Sequence, residues 1–175
     1  MPLIECTLIE GYNPTTRRLV SERITDAACS AIGASPEFVT VTIKEVAQEN
    51  YMRGRSQKVP APAPIQPDEI VRQFLSSMQN RKLDDAQKWL ADGAEMVFPG
   101  GKRFTALTEV VDWAKTRYQS VMKKFEQVET SFNGKNATVY CHGTLQGVWL
   151  DGSKFDGIRF IDRFLISDCK IMHQE

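Results

Sequence analysis

Val59-Pro60-Ala61-Pro62-Ala63-Pro64-Ile65-Gln66-Pro67 divides this chain of 175 residues. Proline at every other position cannot continue a helix interior or pair within a central strand. The stretch favours polyproline II, and at roughly 3.1 Å per residue Pro60 to Pro67 extends about 25 Å. We read residues 59–67 as a semi-rigid linker between a domain at 1–58 and a second at 68–175. No internal repeat relates the two.

Upstream of the linker the order is β-α-β. Leu3 to Ile9 is a short strand that Gly11 breaks. Asn13 suits an N-cap, with Pro14 at the first helical position. Val20, Ile24, Ala27, Ala28 and Ala31 recur at helical spacing, and Gly33 suits the position past the helix end. From Phe38 to Glu45, Val39, Val41 and Ile43 alternate with Thr40, Thr42 and Lys44, the pattern of a second strand. Two strands joined by a long helix are expected to be parallel with a right-handed crossover. About 58 residues in this arrangement bury too little surface alone. Association with copies of itself or with the second domain follows.

Downstream, the chain reads as helices followed by an antiparallel meander, an α+β layout. Helices are expected over Asp68–Met78, Leu83–Leu90 and Thr108–Lys123, and strands over Ala94–Phe98, Phe125–Phe132, Ala137–Trp149, Phe155–Ser167 and Lys170–His173. Turns fall at Pro99-Gly100-Gly101, Asn133-Gly134-Lys135-Asn136, Asp151-Gly152-Ser153 and Ser167-Asp168-Cys169.

Composition narrows the function. Lys+Arg and Asp+Glu balance at 22 each, seven of each sign before the linker and fifteen after it. Neither half is a basic patch, so DNA or RNA is not the expected partner. Cys6, Cys29, Cys141 and Cys169 lack C-x-x-C spacing, and only His142 and His173 could join them, so no metal site and no cofactor is expected. No apolar run approaches the roughly 20 residues of a membrane helix. The start has no signal-peptide pattern, which makes a reducing cytoplasm the expected location. A small molecule is the expected partner.

Pro2-Leu3-Ile4, Leu8-Ile9-Glu10-Gly11 and Pro36-Glu37-Phe38-Val39 together resemble the 4-oxalocrotonate tautomerase family over roughly Pro2 to Gly54. The resemblance implies an isomerase in which removal of Met1 exposes the secondary amine of Pro2. That amine then acts as base and acid on a small 2-oxo or enol acid. It also implies paired β-α-β units stacked in a ring, a hexamer built from dimers. Two arginines of the family pattern are absent: Tyr12 follows the Glu-Gly, and Thr40 stands within the second strand. Arg53 is the replacement expected to hold a substrate carboxylate, beside Tyr51 at the family's aromatic position, with Thr40 completing the candidate set. Arg17 and Arg18, in the first helical turn, read as solvated surface. Apart from any resemblance, an α-amine has a pKa of about 7.7–8.0, near enough to neutrality for base chemistry. Proline is also simply a common second residue.

Pro67 to Glu175 resembles the nuclear transport factor 2-like superfamily, in particular its SnoaL-like branch of polyketide cyclases. The helical start, the long strands, Ile161-Asp162-Arg163-Phe164 and Asp168-Cys169-Lys170-Ile171 carry the likeness. It implies a cone: a curved antiparallel sheet closed by helices over an apolar pocket. Trp89, Phe98, Trp113, Tyr118, Tyr140, Trp149 and Phe160 are candidates to line it, although each taken singly reads as core. Reflection through the Asp151-Gly152 turn brings His142 near Ile161 or Asp162. A His142–Asp162 pair would suit acid–base work, but a one-residue slip turns His142 to the other face. Phe98 stands where ketosteroid isomerases of the superfamily place an acidic base, which argues against that chemistry. Three readings remain at this level: a Pro2 tautomerase with a fused ligand-binding domain, a cyclase or isomerase using His142 and Asp162, and a binding protein whose first domain serves oligomerisation.

Overall fold

The computed structural model describes residues 1–175, which form two compact units, Met1–Ala63 and Pro64–Glu175. The division falls inside the proline stretch. The architecture is mixed α+β throughout, and no helix is long and apolar enough to cross a membrane.

In the first unit, β1 (Leu3–Ile9) and β2 (Thr40–Val46) pair in parallel around α1 (Pro14–Ile32), with Leu3 opposite Thr40 and Ile9 opposite Val46. Local sequence fixes both ends of α1. The Thr16 N–H donates to Asn13 Oδ1 at 2.8 Å, and Gly33, at φ 70°, donates its N–H to the Cys29 carbonyl at 2.9 Å. The second strand begins two residues later than the alternation suggested, because Pro36–Phe38 forms a 3₁₀ turn. The chain then makes a small hairpin, β3 (Met52–Arg53) with β4 (Ser56–Gln57), that the sequence reading lacked. Its two-residue turn, Gly54-Arg55, has both φ values positive, the geometry that matches strand twist. At the start of the linker, Pro60 packs so closely on Gly11 that a Cβ there would meet its ring at 2.8 Å.

This unit has almost no interior. Ile9 is its single buried residue, α1 buries none, and Leu3, Ile32, Phe38 and Met52 are each more than half exposed. Its main sheet has two strands, so each strand also keeps a free edge.

The second unit has a core. Helix α2 (Pro67–Gln79) buries Ile70, Val71 and Phe74, and Asp68 and Glu69 in its first turn complement the helix dipole. Phe74 meets Phe164 edge-on at 6.1 Å. Burying such a ring is worth roughly 1.5–3 kcal/mol. A short α3 (Leu83–Gln87) leads into β5 (Leu90–Phe98), then β6 (Lys102–Phe104) and α4 (Leu107–Lys115). Four strands follow: β7 (Tyr118–Asn133), β8 (Asn136–Trp149), β9 (Lys154–Ser167) and β10 (Lys170–Gln174). The sheet order is β6-β5-β10-β9-β8-β7, with β5 and β10 parallel.

The helix expected over Thr108–Lys123 is half strand. It ends where the Thr116 hydroxyl and N–H both turn back to the Trp113 carbonyl. Beyond that point Tyr118 stacks on Trp149, and the backbone joins the ladder with β8. Period-2 packing of Val121, Lys123 and Phe125 replaces the helical period.

Two glycines let the sheet bend. The β7–β8 register shifts between Tyr118 and Ser120 and again between Phe125 and Gln127, and at each shift β7 carries one extra residue. Gly147 and Gly143 lie opposite. A Cβ on Gly143 would sit 2.0 Å from the Lys124 carbonyl oxygen, and one on Gly147 would sit 2.1 Å from that of Ser120. Bulges of this kind bend the strand and increase its twist. Gly143→Ala is therefore expected to cost about 1–3 kcal/mol, and Gly143→Val more. Urea unfolding followed by tryptophan fluorescence measures this, since Trp89, Trp113 and Trp149 all belong to the second unit.

Candidate functional sites

At the head of β1, the Pro2 carbonyl accepts the Thr40 N–H at 3.0 Å, the first bond of the ladder. Proline has no N–H to leave unpaired there. Pro2 and Thr40 are thus adjacent through backbone, with the Thr40 side chain on an exposed position. With Met1 in place the Pro2 nitrogen is a tertiary amide without a basic lone pair. Met1 is 91% exposed, within reach of a processing enzyme.

The arginines of this unit divide clearly. Arg17 Nη1 donates to the Tyr12 carbonyl at 3.1 Å and to Glu45 Oε2 at 2.7 Å, so its charge is engaged within the fold. Arg18 pairs with Glu22 at 3.5 Å. Arg53 has no acidic partner, and its Nη2 lies 3.4 Å from the Tyr51 hydroxyl. Tyr51 and Arg53 are therefore together, with the guanidinium exposed on the hairpin and available to an anion.

In the second unit a cavity of about 590 Å³ lies within the curve of the sheet. Phe98, Trp113, Tyr118, Trp149, Phe155 and Phe160 contribute its aromatic walls. Tyr118 and Trp149 stack at 5.0 Å, and Phe155 packs tilted against Trp149 at 4.4 Å. A smaller cavity of about 150 Å³ adjoins and shares Phe98, Val110, Val121, Lys123 and Gln174 with it.

His142 is not in this cavity. It pairs with Ile161 across β8 and β9, while Asp162 pairs with buried Cys141. Successive side chains point to opposite faces of a sheet. His142 therefore shares the outer face with Ile161, which is 66% exposed, and its Nε2 lies 3.2 Å from Gln127 Oε1. The expected His142–Asp162 pair does not form. Tyr140, on the same outer face, is also outside the cavity, and so is Trp89, which borders a separate groove beside α3.

Asp162 has another partner. The Lys123 ammonium donates to Asp162 Oδ2 and lies 4.7 Å from the Phe160 ring centre. The sequence reading missed Lys123 because it sat at the end of an expected helix. Its alternation with Val121 and Phe125 was the available signal. Behind this pair the Cys141 thiol is fully buried, and desolvation, with the Asp162 charge second, raises its pKa from 9.0 to about 11. It is an inert core thiol rather than a nucleophile.

The comparisons with known proteins follow this division. The family described as "Tautomerase enzyme" matches residues 2–58. A "probable tautomerase" of Halalkalibacterium halodurans is 31% identical over 51 residues, which are 29% of this chain and 84% of that protein. Through this N-terminal segment the chain belongs to the tautomerase family. The rest has the NTF2-like fold. An NTF2-like protein of unknown function from Burkholderia pseudomallei superposes with TM-score 0.50 at 15% identity, over 62% of this chain and 86% of its own. An NTF2-like protein from Burkholderia thailandensis gives 0.51 at 16%, over 64% and 89%. The S. rosetta CaMKII hub gives 0.50 at 15%, over 64% and 96%. At these identities the likeness is one of fold.

The Lys123–Asp162 pair makes a stability test. With the Asp162 side chain only 14% exposed, Lys123→Met strands a carboxylate against apolar walls. The expected loss is about 1–3 kcal/mol, while Lys123→Met combined with Asp162→Leu recovers to within about 1 kcal/mol of the parent. Urea midpoints of the two variants check both values.

Proposed function

We propose that the protein is an isomerase of the keto–enol tautomerase type. Its first unit moves a proton on a small 2-oxo or enol acid through the amine of Pro2, and its second unit binds a small organic ligand. The observation that carries the reading is the placement of Pro2. The family match begins at this residue, its carbonyl is pinned by Thr40, and the one residue preceding it is exposed. Loss of Met1 turns the nitrogen into a secondary amine, and α-amines titrate at about 7.7–8.0. The amine takes a proton from one end of the substrate's conjugated system and returns one to a carbon, so no atom is gained or lost. Arg53 holds the substrate carboxylate, with Tyr51 beside it. Arg17 does not serve, being held by Glu45. Four free cysteines fit a reducing compartment, and the cytoplasm is the proposed one.

Intact mass of the purified protein is expected to lack Met1. Pro2→Ala should lower kcat/KM for ketonisation of phenylenolpyruvate by about a hundredfold or more. Arg53→Ala should raise KM with a smaller effect on kcat. Retained Met1, or undiminished turnover in the Pro2 variant, removes this role.

Assembly belongs to the same reading. The exposed apolar side chains and free strand edges of the first unit favour association with copies of itself. A homo-oligomer, a hexamer built from dimers, is expected in sedimentation velocity at micromolar concentration. A particle at the 19.8 kDa of one chain contradicts it.

A further inference from the structure

We infer that the large cavity of the second unit is a site for planar aromatic carboxylates, with the Arg117 guanidinium taking the anionic group. This rests on the reading of the second unit as ligand-binding and names what it binds.

Five charged residues line the cavity: Arg117, Lys123, Arg159, Asp162 and Glu175. Four have partners of opposite sign. Lys123 and Asp162 hold each other, Arg159 holds Glu126 at 3.3 Å, and Glu175 is held by Arg163. Arg117 alone has none. Its guanidinium lies 4.9 Å from the Trp113 ring centre and 5.5 Å from that of Tyr118. Rings satisfy the flat face of a guanidinium but leave its N–H donors unused, because those point outward in the plane. A planar fork of donors on an otherwise charge-balanced apolar wall matches the two oxygens of one carboxylate.

The second observation is Gln174. It is 4% exposed, it borders both the large cavity and the smaller one behind it, and its side chain makes no hydrogen bond within the protein. A carboxamide at that depth offers a donor and an acceptor to a polar group on the ligand. The walls supply the third demand. Tyr118 and Trp149 stack with 28° between their planes, and Phe155 packs tilted against both, an aromatic corner suited to a ring. The volume of about 590 Å³ falls within the range usual for small-molecule sites. An aryl-substituted enol acid, of the class proposed for the first unit, meets all three demands.

The test titrates the full chain with 2-naphthoate and with its uncharged analogue 2-naphthamide, reading tryptophan fluorescence. Trp113 and Trp149 border the cavity, and the first unit contains no tryptophan, so the signal reports the second unit. The expected result is binding of 2-naphthoate about tenfold tighter than 2-naphthamide. That preference should persist in Pro2→Ala, vanish in Arg117→Gln with little change for the amide, and return in part in Arg117→Lys. Equal affinity for acid and amide in the parent protein overturns the inference while leaving a ligand-binding cavity, and needs no variant to fold. A preference that survives Arg117→Gln overturns the role of Arg117. No response to either compound overturns the inference together with the ligand-binding reading beneath it.

Discussion

Where the carbonyl groups of Ser120 and Lys124 lie over Gly147 and Gly143, backbone occupies the space a side chain would need. The concave face of the second unit depends on that close approach. Each bulge gives β7 one residue more than β8, and the longer strand must curve around the shorter. The curve is what carries Tyr118, Trp149 and Phe155 together at one end of the sheet while Phe164 stays packed on α2. A flat sheet with the same inward residues would present an apolar surface and no cavity.

The sequence was most legible where structure is decided locally. Asn13, Pro14 and Gly33 delimit α1 because caps depend on one or two residues. It was least legible where one residue of register mattered. Position placed His142 near Ile161 or Asp162, and the ladder brings it opposite Ile161. Facing depends on parity, and parity put Asp162 inside and His142 out. Lys123 illustrates the same difficulty in another form. Tyr118 to Lys123 satisfies a helical period well enough, and only the distant strand β8 decides that it extends. Gln174 gave no signal at all, since a glutamine near a strand end reads as surface.

The two units also differ in how their order is supported. The second has a continuous apolar core drawing on α2, α3, α4 and the four strands β5, β8, β9 and β10. The first has well-formed caps, a satisfied ladder and cross-strand charges such as Lys44 with Glu5 at 2.9 Å, yet little beneath them. Exposed ion pairs of that kind contribute at most about 1 kcal/mol. Local geometry in this unit is therefore specified far more strongly than it is stabilised by burial within one chain.

The position of Pro2 has a practical consequence. Its nitrogen differs between amide and amine by a single peptide bond. Any N-terminal affinity tag keeps the nitrogen acylated, and so does a start codon followed by even one extra residue that resists trimming. On the proposed reading, protein prepared that way would show a silent first unit even when correctly folded. The opposite end of the chain is no free choice for a handle either. There Glu175 exchanges backbone hydrogen bonds with Arg163 at 2.7 and 3.0 Å and borders the second unit's cavity, so a handle at that end needs a spacer.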